Sequence, residues 1–248
     1  MSFVITGGSR GIGRETVIGA LARGQDCAFS YVSNDEAAAQ TVRDAQATAT
    51  NGAQVIAVKG DATDESHLVD LYDQASALSP VTGCVVNAGV VDTKATLAEM
   101  TADRIRRMMD INVTGALLTA REAARRMPLS KGGPGGAIVF VSSLAAELAS
   151  PFQYLDYAAS KGAIDVATKG LAIELANDGV RVNAVRPGII DTDIHASGGR
   201  PDRARELAHM IPMQRPGTAE EIAACILWLM SDEASYVTGA HLNAAGGR

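Results

Sequence analysis

Ser2-Phe3-Val4-Ile5-Thr6-Gly7-Gly8-Ser9-Arg10-Gly11-Ile12-Gly13 follows the initial Met1. A short apolar run over 2–6 leads into a glycine-rich turn. Helical spacing then begins, with apolar residues at Ile12, Val17, Ile18 and Leu21 over 12–22. Glycine permits a tight turn and lets the backbone approach a pyrophosphate closely. The helix that follows presents free N–H groups and the positive end of its dipole to the same place. Gly7, Ser9, Arg10, Gly11, Ile12 and Gly13 are therefore the first candidate ligand-binding residues. The spacing is Gly-x-x-x-Gly-x-Gly, a wider turn than the common Gly-x-Gly-x-x-Gly. Spaced glycines alone also fit an ordinary turn, and it is the strand-turn-helix setting that favours a ligand.

Outward from this turn the alternation continues. Strands are expected at 27–32, 55–58, 84–87, 137–142, 180–186 and 240–243. Helices are expected at 36–51, with Gly52 at its C-terminal cap, and at 67–77, 157–177 and Ala219–Met230. A further long helix is expected from a Thr101 cap to about 127. Such order predicts an α/β fold, a Rossmann-type doubly wound parallel sheet of seven strands with helices on both faces. No linker or repeat interrupts 1–248, so a single domain is expected. In such a sheet ligands sit outside the carboxyl ends of the strands.

Composition supports this class. Of 248 residues, 47% are hydrophobic and 20% charged, neither a disordered nor a fibrous balance. A net charge of −6 argues against a nucleic-acid or membrane-surface partner. No apolar run nears the ~18 residues needed to span a bilayer, and the start lacks a signal-peptide pattern. Cys27, Cys84 and Cys225 have no metal-ligand spacing and His67, His209 and His241 are scattered, so neither a disulfide framework nor a metal site is expected. A cytoplasmic protein is the default.

The second strand ends Tyr31-Val32-Ser33-Asn34, and the first acid, Asp35, falls just past the point where an acid would hold a ribose 2′-hydroxyl. Arg10 can supply a cation to a 2′-phosphate, with Ser33 and Asn34 adding hydrogen bonds. NADP is thus favoured over NAD, which stays open. The competing local reading makes Ser33 or Asn34 a cap of the next helix.

Tyr157 and Lys161 stand four apart at an expected helix start, hence on one face. A nearby ammonium favours a phenolate, so this tyrosine can move a proton to or from a hydroxyl or carbonyl oxygen. Together with Thr6-Gly7-x-x-x-Gly11-x-Gly13, Asn87-Ala88-Gly89, Asn112, Ser143 and Pro187-Gly188, in this order, the chain resembles the short-chain dehydrogenase/reductase family over nearly its whole length. The C-terminal run, including Ile211-Pro212-Met213 and Tyr236-Val237-Thr238-Gly239, is similar to bacterial glucose-1-dehydrogenase-like and 3-oxoacyl carrier protein reductase-like members.

The resemblance implies Tyr157 as general acid/base, and Lys161 lowering its pKa and bonding the nicotinamide ribose. It implies Ser143 holding the substrate oxygen and Asn112 anchoring a proton-relay water. Asn87, Ala88 and Gly89 would line the ribose region, Asp61 and Ala62 would face the adenine, and Ile190 and Thr192 would hold the carboxamide. Asp61 also reads as a turn residue. Ser143 precedes Tyr157 by one residue more than is usual in the family, so Ser142 competes with it. Val86 stands where an asparagine is frequent. Tyr154 lacks a basic partner four residues on. A homotetramer built through 101–127, 157–177 and the C-terminal region is also implied.

The segment 191–213 carries Gly198, Gly199 and Pro201 and reads as a substrate lid. His195 and Glu147 are candidate substrate contacts, each with a bland surface alternative. The arginines Arg104, Arg106, Arg107, Arg121, Arg125 and Arg126 read as a solvated or subunit face, with Arg125 and Arg126 a weak docking point for an acidic carrier protein. Trp228 reads as core or interface. The leading expectation is hydride transfer between a nicotinamide and a secondary alcohol or ketone, a sugar such as glucose among the options. A 3-oxoacyl thioester reductase and a non-catalytic dinucleotide sensor are the alternatives.

Overall fold

A computed structural model of the chain describes residues 1–192, 199 and 202–248. The short apolar runs become strands β1 (Ser2–Ile5), β2 (Asp26–Tyr31), β3 (Val55–Lys59), β4 (Val81–Val86), β5 (Gly136–Val141), β6 (Val180–Pro187) and β7 (His241–Ala244). All pair in parallel in the order β3-β2-β1-β4-β5-β6-β7. Strand order reverses between β1 and β4, which opens a crevice at their carboxyl ends. The expected seven-stranded, doubly wound sheet is thus borne out.

The helices are α1 (Gly11–Leu21), α2 (Asp35–Thr48), α3 (Glu65–Leu78), α4 (Ala102–Met109), α5 (Ala116–Arg126), α6 (Ala145–Leu148), α7 (Leu155–Leu175), α8 (Arg203–Glu206) and α9 (Ala219–Met230). Asn34, Asp64, Thr101 and Thr218 accept hydrogen bonds from first-turn amides of α2, α3, α4 and α9 and so fix where these helices start. Two cores sandwich the sheet. One face packs α3, α5 and α7 through residues such as Leu68, Tyr72, Ala120 and Ile164. The other packs α1, α2 and α9 through Val17, Leu21, Ala45 and Ile226. Each large side chain buried this way contributes about 1.5–3 kcal/mol. A separate small cluster of Ile189, Ala204 and Ile211, with Leu207 packed against it, is drawn from the chain between β6 and α9.

Several expectations need correction. The helix expected from Thr101 to about 127 is not one α-helix, because Asp110–Gly115 forms a π-helical turn between α4 and α5. Gly52 is no helix cap: α2 ends at Thr48, and Gly52 sits in the turn after it with φ of 73°. Of the two readings of Trp228, its 38% exposure removes the core and leaves the interface. Among the described residues no helix is long and apolar enough to cross a membrane.

Candidate active site

The glycine turn is held from the β4 side. Thr6 Oγ1 accepts the backbone N–H groups of Asn87 at 3.1 Å and Ala88 at 3.2 Å. Asn87 Nδ2 donates to the carbonyls of Thr6 and Gly7, both at 3.0 Å. From α2, Thr41 Oγ1 donates to the carbonyl of Ser9 at 3.2 Å. Gly7 and Gly11 adopt φ of 70° and 51°, conformations that L side chains resist. A Cβ on Gly13 would lie 2.2 Å from the Gly7 carbonyl oxygen. β1, β4 and the first turn of α1 therefore meet backbone to backbone. Arg10 is the N-cap residue of α1 and its side chain caps no amide, so the first-turn N–H groups face the crevice. A cradle that any side chain would fill, ending in open helix amides, fits the pyrophosphate of a dinucleotide.

At the end of β2, Tyr31 is half-buried and Ser33 and Asn34 are exposed. Asn34 Oδ1 accepts from the N–H of Ala37 at 2.9 Å, the capping role that competed with ligand contact. Sequence reasoning missed Lys59, whose Nζ lies 2.8 Å from Asp35. The Lys59 ammonium, followed by the Tyr31 hydroxyl, holds the Asp35 carboxyl below the usual range. Nothing in the pattern of β3 singles out its last lysine. Asp61 Oδ1 accepts from both the N–H and the hydroxyl of Thr63 at 2.9 Å, so it does serve the turn, with Ala62 buried beside it.

The chemistry-bearing residues converge at the ends of β4, β5 and α7. Lys161 is 5% exposed, its Nζ donates to the Val141 carbonyl at 2.8 Å, and it lies 5.7 Å from the centre of the Tyr157 ring. Burial pulls the Lys161 ammonium down to about 8, partly offset by the Asp165 carboxylate. Tyr157 keeps some exposed surface, but the protein packed around its phenol raises its pKa. The hydrogen bond with Ser143 and then the charge of Arg203 act the other way. The Ser142 hydroxyl is buried and turns to the Asp165 carboxylate at 2.7 Å, which leaves Ser143, whose Oγ also accepts from the N–H of Ala145 at 3.1 Å, as the serine that interacts with Tyr157.

Asn112 sits in the π-helical turn, 1% exposed. Its Oδ1 accepts from the N–H of Val90 at 2.8 Å, and its Nδ2 donates to the Val90 carbonyl at 2.9 Å and to Ser160 Oγ at 3.1 Å. It thereby ties the segment after Gly89 to α7. A Cβ on Gly89 would lie 3.3 Å from Asn112 Oδ1 and 3.5 Å from Lys161 Nζ, so the glycine keeps this floor narrow.

Beyond β6, the Pro187 carbonyl accepts from the N–H of Leu144, and Gly188 packs on Ala245. Ile190 is buried and bridges to Gly217. Thr192 lies over the glycine turn, its Cγ2 3.4 Å from where a Cβ of Gly11 would be. In the expected lid, Arg203 stacks 5.3 Å from the centre of the buried Tyr154 ring. His195 lies outside the described residues. Glu147 accepts from Arg186 at 3.0 Å and Asn243 at 3.2 Å, a structural engagement.

The arginine face also needs correction. Arg104 is no solvated residue: its Nε and Nη2 donate to Asp156 at 2.8 and 3.2 Å, and Asp156 Oδ1 accepts from the N–H of Tyr157 at 2.9 Å. Arg125 and Arg126 pair with Glu122 and Asp73 at the last turn of α5, which leads to the amino end of β5, the far end of the sheet from the crevice. Among the described residues no group of three or more His, Cys, Asp or Glu could hold a metal ion.

Comparison with known proteins agrees with this geometry. Residues 7–248 match a family model described as enoyl-(acyl carrier protein) reductase. The chain is 47% identical to the uncharacterized oxidoreductase YgfF of Escherichia coli (strain K12), over 99% of this chain and 98% of that one. It is 32% identical to glucose 1-dehydrogenase 2 of Bacillus subtilis (strain 168), over 98% and 93%. A short-chain type dehydrogenase/reductase from Mycobacterium marinum superposes with a TM-score of 0.90 at 31% identity, covering 99% and 94%. A blue fluorescent protein from a metagenomic library, solved with NADPH, superposes at 0.87 with 35% identity, covering 99% and 96%. A wide glycine turn at the β1/β4 crevice, a buried lysine beside a tyrosine, and relatives matched end to end converge on one conclusion: this chain belongs to the short-chain dehydrogenase/reductase family and is an NAD(P)-dependent oxidoreductase.

Proposed function

We propose that the protein interconverts a secondary alcohol and a ketone, with Tyr157 moving the proton and NADP as the preferred dinucleotide. The observation that carries this reading is the meeting of Tyr157 with Ser143 and Lys161 at the crevice. A bound nicotinamide supplies or accepts the hydride. Ser143 holds the substrate oxygen against Tyr157, and Tyr157 gives or takes the proton at that oxygen. Lys161, charged and fixed to Val141, favours the phenolate and contacts the ribose. Asn112 holds a water at the start of a proton path through Lys161. Gly7, Ser9, Arg10, Gly11, Ile12 and Gly13 hold the pyrophosphate, Asp61 and Ala62 the adenine, Asn87, Ala88 and Gly89 the ribose, and Pro187, Gly188, Ile190 and Thr192 the nicotinamide.

Three residues support the preference for NADP. Asp35 is occupied by Lys59 and so is poorly placed to accept from a 2′-hydroxyl, while Arg10 and Lys59 offer cations to a 2′-phosphate. The NADPH complex of the metagenomic relative points the same way. Sugars are the first substrates to test, on the likeness to a glucose 1-dehydrogenase. A 3-oxoacyl thioester is the second reading, favoured by the description of the family model. The apolar side chains exposed on α7 and α5, Val166, Ile173 and Leu117, support assembly of the single domain into a homotetramer, and we place the protein in the cytoplasm.

Titration with NADPH and NADH, read by nicotinamide fluorescence, tests the cofactor reading, and a panel of sugars, alcohols, ketones and 3-oxoacyl thioesters tests the substrate. Tighter NADPH binding and turnover within the panel are expected. Tighter NADH binding overturns the NADP preference, and binding without turnover across the panel favours a sensor.

A further inference from the structure

One helical turn beyond Lys161, and on the same face of α7, stands Asp165, a carboxylate buried to 9% exposure. Burying a charge is unfavourable unless it is paired and hydrogen-bonded, and this one is saturated. Its Oδ1 accepts from the Ser142 hydroxyl at 2.7 Å. Its Oδ2 accepts from Arg186 on β6, through Nη2 at 2.9 Å and Nε at 3.1 Å. His241 on β7 approaches Oδ1 at 3.7 Å and contacts the Asp165 carbonyl at 3.0 Å. Arg186 continues to Glu147 on α6, which Asn243 of β7 also holds. The Ser142 hydroxyl lies a further 3.3 Å from the Lys161 carbonyl. One buried carboxylate therefore gathers the end of β5, the catalytic helix, and strands β6 and β7.

The geometry points to Asp165 as a positioning residue: by clamping Ser142 from behind, it aims the next residue, Ser143, at Tyr157 and holds Lys161 at its depth in the helix. This inference rests on the catalytic reading proposed above for Tyr157, Lys161 and Ser143. Ser142 follows the last residue of β5 and continues its pairing, its N–H donating to the Val185 carbonyl at 2.9 Å. It is buried while Ser143, the next residue, is partly exposed, as alternation of side chains along an extended chain expects. Anchoring Ser142 inward fixes the outward course of Ser143, and a hydroxyl displaced by a fraction of an ångström no longer serves the reacting oxygen. Asp165 is also the charged group that supports the Lys161 ammonium against burial. Arg186 and His241 face the carboxylate from the neighbouring strands and Glu147 faces Arg186, so the cluster carries two acids and one arginine, plus a histidine.

Ser142→Ala tests the clamp without changing any charge, and Asp165→Asn tests the carboxylate. Protein labelled with 3-fluorotyrosine lets the Tyr157 resonance among the 5 tyrosines be assigned against Tyr157→Phe and titrated without cofactor. In Ser142→Ala the Tyr157 midpoint is expected to rise, in the same direction as in Ser143→Ala. The kcat on a substrate found in the panel is expected to fall about tenfold with the dinucleotide KM unchanged, the effect of one misplaced hydrogen bond. Asp165→Asn should do the same or more. If it fails to fold, the soluble Ser142→Ala decides the matter. A folded Ser142→Ala with wild-type Tyr157 titration and wild-type kcat overturns the clamp. Full activity in Tyr157→Phe overturns the underlying catalytic reading instead, so the two failures are distinguishable.

Discussion

Lys161 donates its Nζ to the main-chain carbonyl of Val141 at 2.8 Å, and both residues are buried. The ammonium is thus placed by the last residue of a central strand, not by solvent. Its folded-state pKa, about 8, lies below its ordinary value of 10.5. The unfolded chain therefore holds the proton more tightly than the folded one, and stability rises as pH climbs through that window. The gain over this range is on the order of 3 kcal/mol. Urea unfolding of wild type and Lys161→Met from pH 7 to pH 10.5 should show the wild-type curve rising relative to the variant. Parallel curves would mean that Lys161 titrates as if in water.

Tyr157→Phe removes only the phenolic oxygen, so dinucleotide binding persists while kcat falls by about a thousandfold, within the range for loss of a general acid/base. Fluorescence titration and steady-state rates on one sample check both halves. Loss of binding along with turnover would show a packing defect instead.

The 2′-phosphate reading turns on Arg10, Asp35 and Lys59. Arg10→Ala should weaken NADPH binding about tenfold and leave NADH binding little changed, as expected for loss of one charge-assisted contact. Lys59→Ala releases Asp35 and should move the preference further toward NADH. Equal losses for both dinucleotides would place these residues elsewhere in recognition.

Asp156 is nearly fully buried and receives Arg104 through two nitrogens. Asp156→Ala leaves that guanidinium without its partner and should destabilise the fold by about 3 kcal/mol, measured by urea unfolding. The same change frees the first turn of α7, so kcat should fall with it. A variant of unchanged stability would show Arg104 finding another partner.

Much of this was legible before any coordinates. Strand and helix positions follow from apolar spacing within a few residues, because burial on both faces of a parallel sheet demands it. The glycine turn and the Tyr157–Lys161 pair are local patterns that a helix turns directly into geometry. What escaped depends on distant partners. The π-helical turn is bound up with Asn112 bonding to Val90 and Ser160, which stand 22 and 48 positions away. Arg104 read as a surface charge because its partner lies 52 positions along the chain. Lys59 and Asp165 could not be singled out, since each matters through partners far along the chain, Asp35 at the start of α2 for Lys59, and Ser142, Arg186 and His241 for Asp165.

Between β6 and α9, Ile189, Ala204 and Ile211 form a small cluster of their own, while Ile190 joins the core that packs α1, α2 and α9. That cluster stands apart from the residues that bury β5 and α7, so substitutions within it leave the main packing of both elements in place. If this segment covers the substrate, as the lid reading expects, selectivity and foldability draw largely on different parts of the chain. Residues there could then change with the substrate while the sheet and its two cores stay as they are.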